Sequence, residues 1–578
     1  MTTRRVGTVV VGAGFAGIAQ ALALRDAGVD DVVILERADR IGGTWRDNTY
    51  PGIACDVPSH LYGLESHPWP HWSRVFAPGA EIRSYLERIV ADEGLDRRLM
   101  LGTALAGARW DGETWRIEVA HRGGPSMHDD AKAQPHPPEP AGSAPLDDGM
   151  ASSCTGTSGE ATAPPHPAPA HRGGPSMHDD AIARPGAPAA SGSAPSPGES
   201  ASSCTGAPAP DRPATLVADH LILACGRLTE PRIPEIRGLD TFPGPLFHTA
   251  RWDHAALPGD DLRGRRIGVV GTGASAVQLV PALVARGAEV VLFQRSPAWI
   301  VPRDDAPVDA SERRRFADDP DALRAHRAAL YAEGEARFAS RSGDERAAAE
   351  ARAVALAHLE RQVPDPALRR ALTPDYAFGC KRVLLSDDFY PAVAGDAVVL
   401  EAFALAAVRG SVLVAASGRA HEVDALVLAT GFETTRQPYA HLVRGEGGTT
   451  LDAHWSEGMT AVASTLVPGF PSLFVLNGPN ASLGHNSSVL LSEAQAEFAA
   501  RLIATGSGPV RVTEDEERRA TEEIAVRAAR TPWLTGGCAN WYVDDRSRRL
   551  ALLWPGTVAD FRARLADALP DPVPEGAS

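Results

Sequence analysis

The sequence lacks closely spaced cysteines. Six cysteines occur among 578 residues, and none belongs to a CxxC pair. They are Cys55, Cys154, Cys204, Cys225, Cys380 and Cys538. Because zinc sites and redox dithiols are built from such pairs, we expect no metal site and no dithiol centre. We interpret all six as free thiols.

An excess of positive charge is also missing. The chain has 57 Lys and Arg against 73 Asp and Glu, a formal net charge of -16, so we expect no nucleic-acid partner. No apolar stretch is long enough to cross a bilayer, and glycines interrupt the apolar run near the N-terminus, which lacks a cleavage region. We therefore predict no membrane span and a cytoplasmic location, and leave the oligomeric state open.

Aromatic residues and hydrophobic periodicity are missing from residues 121–213. The segment AHRGGPSMHDDA begins at Ala120 and again at Ala170, and ASSCTG begins at Ala151 and again at Ala201. Such a tandem repeat, rich in Pro, Ala, Gly and Ser, cannot bury enough apolar surface to offset ordering entropy. We predict a disordered insert at the tip of a hairpin formed by the flanking strands TWRIEVA and ATLVADHLILACG.

The N-terminal segment VGTVVVGAGFAGIAQ contains a glycine-rich turn between a Val-rich strand and a helix. Gly12, Gly14 and Gly17 permit a tight turn and a close approach to a pyrophosphate at the helix N-terminus, with Phe15 inside the turn. The next strand ends at Glu36, where a carboxylate accepts a hydrogen bond from a ribose hydroxyl. This order of elements predicts a dinucleotide site.

A second turn of the same kind occurs in GRRIGVVGTGASAVQLV. Its residues are Gly271, Thr272, Gly273, Ala274, Ser275 and Ala276. Arg295 and Ser296 stand where the first copy has an acid, and a cation suits a ribose 2'-phosphate, so the second nucleotide is predicted to be NADPH. Two different sites imply electron passage from NADPH to a flavin, FAD, in the first site.

These features predict an α/β fold with two Rossmann-like dinucleotide-binding domains. The predicted segments are the first part of the FAD domain (1–120), the insert (121–213), an FAD-domain strand and linker (214–245), the NADPH domain (246–382) with a helical subdomain at about 304–376, and the remaining FAD domain with a C-terminal loop (383–578). The last segment includes the strand in DALVLATGFETT. We interpret NWYVDDRSRRLALLWPG as a loop over the nucleotide or as a packed strand pair.

Five motifs together carry a family resemblance. They are GGTW (42–45), YPGIACD (50–56), TFPGPLFHTARWD (241–253), CKR (380–382) and ATGF (429–432). With the two glycine turns, they resemble the flavin-dependent type I Baeyer–Villiger monooxygenases, which belong to the flavin-containing monooxygenase superfamily and share a fold type with disulfide reductases. The third motif carries the family signature through Phe242, Gly244, His248 and Trp252, and we interpret it as the linker between the two halves.

The resemblance implies a reaction and its site. NADPH and O2 would oxidise a small-molecule ketone to an ester or lactone through a flavin C4a-peroxide. Arg382 would stabilise the peroxide anion, and Asp56 would orient Arg382 and contact the cofactors. The implied cofactor-binding residues are Gly43, Thr44, Trp45 and Tyr62 for the flavin, Ala54 and Cys55 near the nicotinamide, and Lys381 beside Arg295 at the 2'-phosphate.

Three alternatives stay open at this point. A related monooxygenase that oxygenates nitrogen or sulfur usually has another aromatic residue at the tryptophan position, so Trp252 and Arg382 favour ketone oxidation. A disulfide reductase would need a redox dithiol. A non-catalytic nucleotide sensor would bind flavin without oxidising NADPH.

Overall fold

The computed structural model describes residues 3–121, 215–506 and 508–569. Apart from His121, the predicted repeat insert lies outside these residues, and so do Cys154 and Cys204. Among the described residues, no helix combines the length and apolar character needed to cross a membrane.

The strands are short and spread along the whole chain. They are β1 (Thr3–Val11), β2 (Val32–Glu36), β3 (Leu99–Leu101), β4 (Thr103–Trp110), β5 (Trp115–His121), β6 (Thr215–Leu223), β7 (Leu246–His248), β8 (Arg266–Val270), β9 (Glu289–Phe293), β10 (Ile300–Val301), β11 (Leu384–Leu385), β12 (Val398–Glu401), β13 (Leu405–Arg409), β14 (Val412–Ala415), β15 (Ala420–Glu422), β16 (Ala425–Leu428), β17 (Val443–Arg444) and β18 (Leu473–Val475).

The helices lie between these strands and after the last of them. They are α1 (Phe15–Asp26), α2 (Thr44–Asp47), α3 (Gly79–Asp92), α4 (Ala274–Ala285), α5 (Ala310–Asp318), α6 (Pro320–Ala336), α7 (Glu345–Gln362), α8 (Pro366–Leu372), α9 (Phe389–Ala394), α10 (Leu451–His454), α11 (Ser488–Ala504), α12 (Glu514–Ala528), α13 (Pro532–Thr535) and α14 (Val558–Asp567).

The first sheet has eight strands and is built around β1. β1 runs parallel to β2 on one side and to β6 on the other, with Val10 opposite Ile34 and Ile222. The sheet continues as β17-β4-β5-β6-β1-β2-β3, and β18 also pairs with β6. Val9 and Val10 are fully buried, as expected for a parallel strand that is covered on both faces.

The strands that flank the insert are neighbours, as predicted. β5 pairs with β6 in antiparallel register, and Glu118 lies opposite Thr215. The chain therefore leaves and re-enters the first sheet at adjacent points. Extra length between such points costs little closure entropy.

The second sheet has five parallel strands in the order β12-β9-β8-β16-β7. It repeats the first arrangement, because β8 is flanked by β9 and β16 as β1 is flanked by β2 and β6. The predicted α/β fold with two Rossmann-like halves is confirmed.

One boundary prediction is wrong. The strand of DALVLATGF is predicted to belong to the first domain, but β16 pairs with β8 and β7 of the second sheet. Its apolar run shows that the strand is buried, but not which of two similar sheets buries it. In the structure, Val427 lies opposite Val269 of β8.

The helical region predicted at 304–376 contains α5 to α8. Aspartates begin three of these helices: Asp319, Asp344 and Asp365 accept hydrogen bonds from backbone N–H groups in the first turn of α6, α7 and α8. Such caps satisfy donors that the helix itself leaves unpaired.

The prediction of free thiols is wrong for two cysteines. Cys380 and Cys538 form a disulfide, whereas Cys55 and Cys225 are free. The bonded residues lie 158 positions apart. A search for local cysteine pairs cannot find a bond that folding creates between distant segments.

Candidate active site

The first glycine turn is forced by close backbone contacts. Gly12 has φ of 108°, and a Cβ there would lie 2.5 Å from the carbonyl oxygen of Ala224. A Cβ at Gly17 would lie 1.8 Å from the carbonyl oxygen of Gly12. No side chain of the described residues caps the N-terminus of α1, which begins after Gly14. Its first N–H groups are therefore free to bind an anion such as a pyrophosphate.

A second glycine pair keeps side chains away from this turn. Gly14 faces Gly43, where an added Cβ would lie 3.1 Å from the Gly14 Cα. Thr44 and Trp45 follow at the start of α2. Because neither glycine has a side chain, the backbone here stays accessible to a flavin nucleotide, and the predicted residues fit that group.

Three aromatic residues form a cluster beside the first turn. The ring of Tyr62 lies 5.1 Å from Phe15 and 5.6 Å from Trp45. Trp45 Nε1 donates a hydrogen bond to the Tyr62 hydroxyl at 3.2 Å. The structure thus brings together three residues that the sequence assigned to flavin binding.

Glu36 is already bound by protein groups. Its carboxylate accepts hydrogen bonds from the backbone N–H of Ala13 at 3.0 Å and of Ala38 at 2.9 Å, and from Arg46 at 2.7 Å. Residue Glu36 is 4 % exposed. The sequence analysis missed Arg46, although a buried carboxylate needs a cation or several donors. Ribose binding by Glu36 stays a prediction.

The second glycine turn repeats the first contact. Gly271 has φ of 111°, and a Cβ there would lie 2.4 Å from the carbonyl oxygen of Ala429. Ala276, at the position of Gly17, is fully buried. A Cβ at Gly273 would meet no atom within 4 Å, so the start of α4 is open.

The residues that begin α4 differ in their contacts. Ala274 is the first residue of the helix, and the hydroxyl of Ser275 interacts with that of Tyr50. The Thr272 hydroxyl donates to the carbonyl oxygen of Ser296 at 2.8 Å. Thr272 thus ties the turn to the end of β9.

Two cations lie at the end of β9. Lys381 donates to the Ser296 hydroxyl at 2.7 Å, and the neighbouring Arg295 is exposed. Burial, and then the positive charge of Arg295, lower the pKa of Lys381. Cations held this close repel each other, and an anion such as a ribose 2'-phosphate would relieve the repulsion. The predicted residues therefore fit NADPH.

Arg382 and Asp56 form an ion pair. Nε and one Nη nitrogen of Arg382 lie 2.7 and 2.6 Å from Oδ2 of Asp56. Asp56, as the largest cause, raises the pKa of Arg382, so the guanidinium stays charged. The two predicted catalytic residues are brought together across 326 positions of sequence, and their roles stay predictions.

The loop that carries Asp56 is held by the second half. Gln278 of α4 donates to the carbonyl oxygen of Ala54 at 2.9 Å and accepts from the Tyr50 hydroxyl at 2.9 Å. Arg303 donates to the carbonyl oxygen of Cys55 at 3.0 Å. The sequence analysis missed Gln278 and Arg303, because no motif marks residues that bind a backbone carbonyl.

Ala54 and Cys55 differ in what surrounds them. Burial raises the pKa of the Cys55 thiol, so it stays neutral. Ala54 lines a cavity of about 350 Å³, together with Gly52, Phe76 and Arg303. The cavity therefore adjoins the loop that carries Asp56.

The signature stretch belongs to the second sheet. Phe242 and Trp252 are buried in its two apolar clusters, and a Cβ at Gly244 would lie 2.4 Å from the carbonyl oxygen of Asp424. His248 ends β7, and its Nδ1 accepts from the N–H of Ala250 at 3.1 Å. These four residues pack and terminate an edge strand, and a linker role stays a prediction.

The C-terminal candidate segment is packed. Tyr542 and Leu550 to Trp554 are buried, and Val543 bridges Leu550 in antiparallel fashion.

Comparisons with known proteins agree with this geometry. Residues 10–78 match a family model described as an NAD(P)-binding Rossmann-like domain. A Baeyer-Villiger monooxygenase of Streptomyces coelicolor is 35% identical over 564 residues, which cover 96% of this chain and 90% of that protein. A Baeyer-Villiger monooxygenase of Pseudomonas aeruginosa is 32% identical and covers 97% of this chain and 89% of that protein.

Solved structures share the fold. Cyclohexanone monooxygenase from Rhodococcus sp. Phi1 bound to NADP+ superposes with a TM-score of 0.73 at 22% identity, over 98% of this chain and 97% of that one. OTEMO in complex with FAD and NADP gives a TM-score of 0.72 at 23% identity, over 98% of both chains.

Proposed function

The chain belongs to the Baeyer–Villiger monooxygenase family and is an FAD-dependent NADPH monooxygenase, and we propose that it oxidises a small-molecule ketone with O2 to an ester or lactone. The family membership confirms the resemblance that the sequence motifs predict. The observation that carries the proposal is the ion pair between Arg382 and Asp56, since it places a fixed cation beside the loop of Ala54 and Cys55.

The chain's residues provide two nucleotide sites. The first turn, the aromatic cluster of Phe15, Trp45 and Tyr62, and Glu36 would hold FAD. The second turn, Arg295, Ser296 and Lys381 would hold NADPH. When bound, this pair supplies hydride transfer and the activation of O2.

Arg382 would act through its charge. A guanidinium that is fixed before the reaction stabilises negative charge on a nearby oxygen without reorganising during the step. Asp56 orients this guanidinium and, by raising the pKa of Arg382, keeps it protonated. Attack of an oxygen nucleophile on a ketone carbonyl needs such stabilisation, because negative charge passes to the carbonyl oxygen.

The rival activity, oxygenation of nitrogen or sulfur, needs no such cation, since the oxygen is then attacked as an electrophile. The buried Trp252 and the paired Arg382 both favour the ketone reaction. The two functions are therefore separable by a change at Arg382.

Arg382→Ala tests the proposal. We expect loss of ester formation by at least about a hundredfold, while NADPH-driven reduction of the flavin continues. Arg370→Ala, which removes an exposed arginine of α8, is the matched control and should behave as wild type. Products from linear, cyclic and aryl ketones and one thioether are measured by mass spectrometry. Unchanged ketone oxygenation by Arg382→Ala would contradict the proposal.

A further inference from the structure

The guanidinium of Arg382 is anchored through a single oxygen atom. Both of its contacts with Asp56 go to Oδ2, unlike a fork in which two nitrogens bind two oxygens. Within residues 3–121, 215–506 and 508–569, the contact from Nε is the one hydrogen bond of normal geometry that the Arg382 side chain forms. A plane that is held at one point can tilt about it, so a second contact is needed to fix its direction.

Tyr542 is the candidate for this second contact. Its hydroxyl interacts with Arg382, yet by distance and angle it forms no normal hydrogen bond with any described residue. Burial, opposed by the charges of Arg382 and Arg341, raises the pKa of Tyr542 to about 12. Because a guanidinium has donors and no acceptors, the neutral tyrosine oxygen is suited to accept from Arg382.

The ring of Tyr542 cannot move freely. Residue Tyr542 is 1 % exposed, and its ring lies 4.5 Å from that of Trp541. The backbone N–H of Tyr542 donates to the side chain of Asn540 at 3.0 Å, and Asn540 donates to the carbonyl oxygen of Trp533 at 2.8 Å. Its hydroxyl therefore has a fixed position.

A covalent link joins the segment of Tyr542 to that of Arg382. The disulfide connects Cys538, four residues before Tyr542, to Cys380, two residues before Arg382. The N–H of Ala377 also donates to the carbonyl oxygen of Gly536 at 2.9 Å. A Cβ at Gly536 would lie 2.8 Å from the Cys380 Cβ, so the two backbones approach as closely as glycine allows.

From this arrangement we propose that Tyr542 is a positioning residue: its hydroxyl provides a second contact that fixes the plane of the Arg382 guanidinium, and the disulfide holds it there. The inference rests on the proposed function, because its effect is measured on the oxygenation of a ketone. Tyr542 does not touch the reacting atoms in this role and acts through Arg382.

Tyr542→Phe removes the hydroxyl and keeps the ring. Because a misplacement of about 1 Å costs up to a hundredfold in rate, we expect kcat for ester formation to fall about tenfold. The KM for the ketone, the NADP+ dissociation constant and the thermal unfolding temperature should stay at wild-type values, and hydrogen peroxide should replace ester as the product of NADPH oxidation. Tyr390→Phe, a buried tyrosine of the second core, is the matched control and should behave as wild type.

The same change in an Arg382→Lys background shows whether Tyr542 acts through the guanidinium. A lysine has no plane to fix, so Tyr542→Phe should then lower the residual ester formation by less than twofold. Cys538→Ser should also shift the product from ester to hydrogen peroxide, by a smaller factor than Tyr542→Phe.

Three results would overturn the positioning role. One is wild-type ester formation by Tyr542→Phe, another is an equal loss in the Arg382→Lys background, and the third is a fall in unfolding temperature that matches the loss of rate. Absence of ester from wild-type enzyme with every ketone would instead refute the proposed function, so the two failures are distinguishable.

Discussion

The two glycine turns of this protein have the same backbone and different chemistry. In each, a glycine with positive φ lies against the carbonyl of a neighbouring strand: Gly12 against Ala224 and Gly271 against Ala429. A twelve-residue helix follows, and its N-terminus has no side-chain cap from the part of the chain that the structure describes. The shared geometry suits a pyrophosphate in both places.

The groups around the two turns differ in burial and in charge. At the first turn, Glu36 is buried and paired with Arg46, so its charge is satisfied by the protein. At the second, Arg295 is exposed, and its positive charge helps to lower the pKa of the nearby Lys381. The charged group at the first turn is thus buried and paired within the protein, whereas the second turn has cations that a ligand can neutralise. This contrast suits a resident flavin and an exchanging NADPH.

The largest difference between the two turns is expected at their third position, which is Gly17 in the first turn and Ala276 in the second. A methyl group usually stabilises a helix relative to glycine, but at Gly17 it would overlap the carbonyl oxygen of Gly12. We expect Gly17→Ala to lower the free energy of unfolding by about 3 kcal/mol and to abolish flavin binding. Ala276→Gly should cost about 1 kcal/mol and keep the flavin.

Denaturant unfolding and flavin absorbance measure both effects. Equal losses of unfolding free energy and of flavin in Gly17→Ala and Ala276→Gly would contradict the expected difference between the two turns.

A smaller effect is expected at the cations of the second turn. A hydrogen bond to a charged group contributes about 1.5 to 3 kcal/mol, so Lys381→Ala should raise the KM for NADPH at least about tenfold. The KM for NADH, which has no 2'-phosphate, should stay unchanged, and so should the flavin content. Steady-state kinetics with both nucleotides is the measurement, and Arg263→Ala, at an exposed arginine paired with Asp261, is the control. An equal rise for NADH would rule out recognition of the 2'-phosphate.

The sequence alone predicts the parts of the molecule that depend on local order. A strand, a glycine turn, a helix and a second strand follow one another within about forty residues, so both nucleotide turns are visible in the order of residues. The pairing of β5 with β6 is also predictable, since a hairpin joins neighbours in sequence. Arg382 and Asp56 are found through family motifs, not through their spacing.

The remaining features depend on contacts between distant segments. β16 is apolar enough to be buried in either sheet, and only the folded structure shows that it pairs with β8 of the second sheet. Cys380 meets Cys538 because the C-terminal segment folds back onto the CKR motif. Arg46 and Gln278 bind groups whose burial is known only once the fold is known.

The smallest expected effect concerns one short strand in each sheet. In the first sheet, β18 is apolar and fully buried, whereas β7 of the second sheet ends at His248. Burial, and then the charge of Arg251, lower the pKa of His248 to about 4 from its usual 6.5. Because the unfolded chain takes up this proton and the folded chain does not, His248 contributes stability above pH 6.5 that is lost as pH falls toward 4.

His248→Asn keeps an acceptor for the N–H of Ala250 and removes the titrating ring. Between pH 7 and pH 4.5, we expect the free energy of unfolding to fall by about 1 kcal/mol less in this variant than in wild type. Urea unfolding at both pH values measures the difference. The pKa of His60 is also lowered, to about 4, chiefly by burial, so acid sensitivity should be reduced and not abolished. His441→Asn, at an exposed histidine, is the control. If His248→Asn loses as much unfolding free energy as wild type between these pH values, then His248 does not make β7 sensitive to acid.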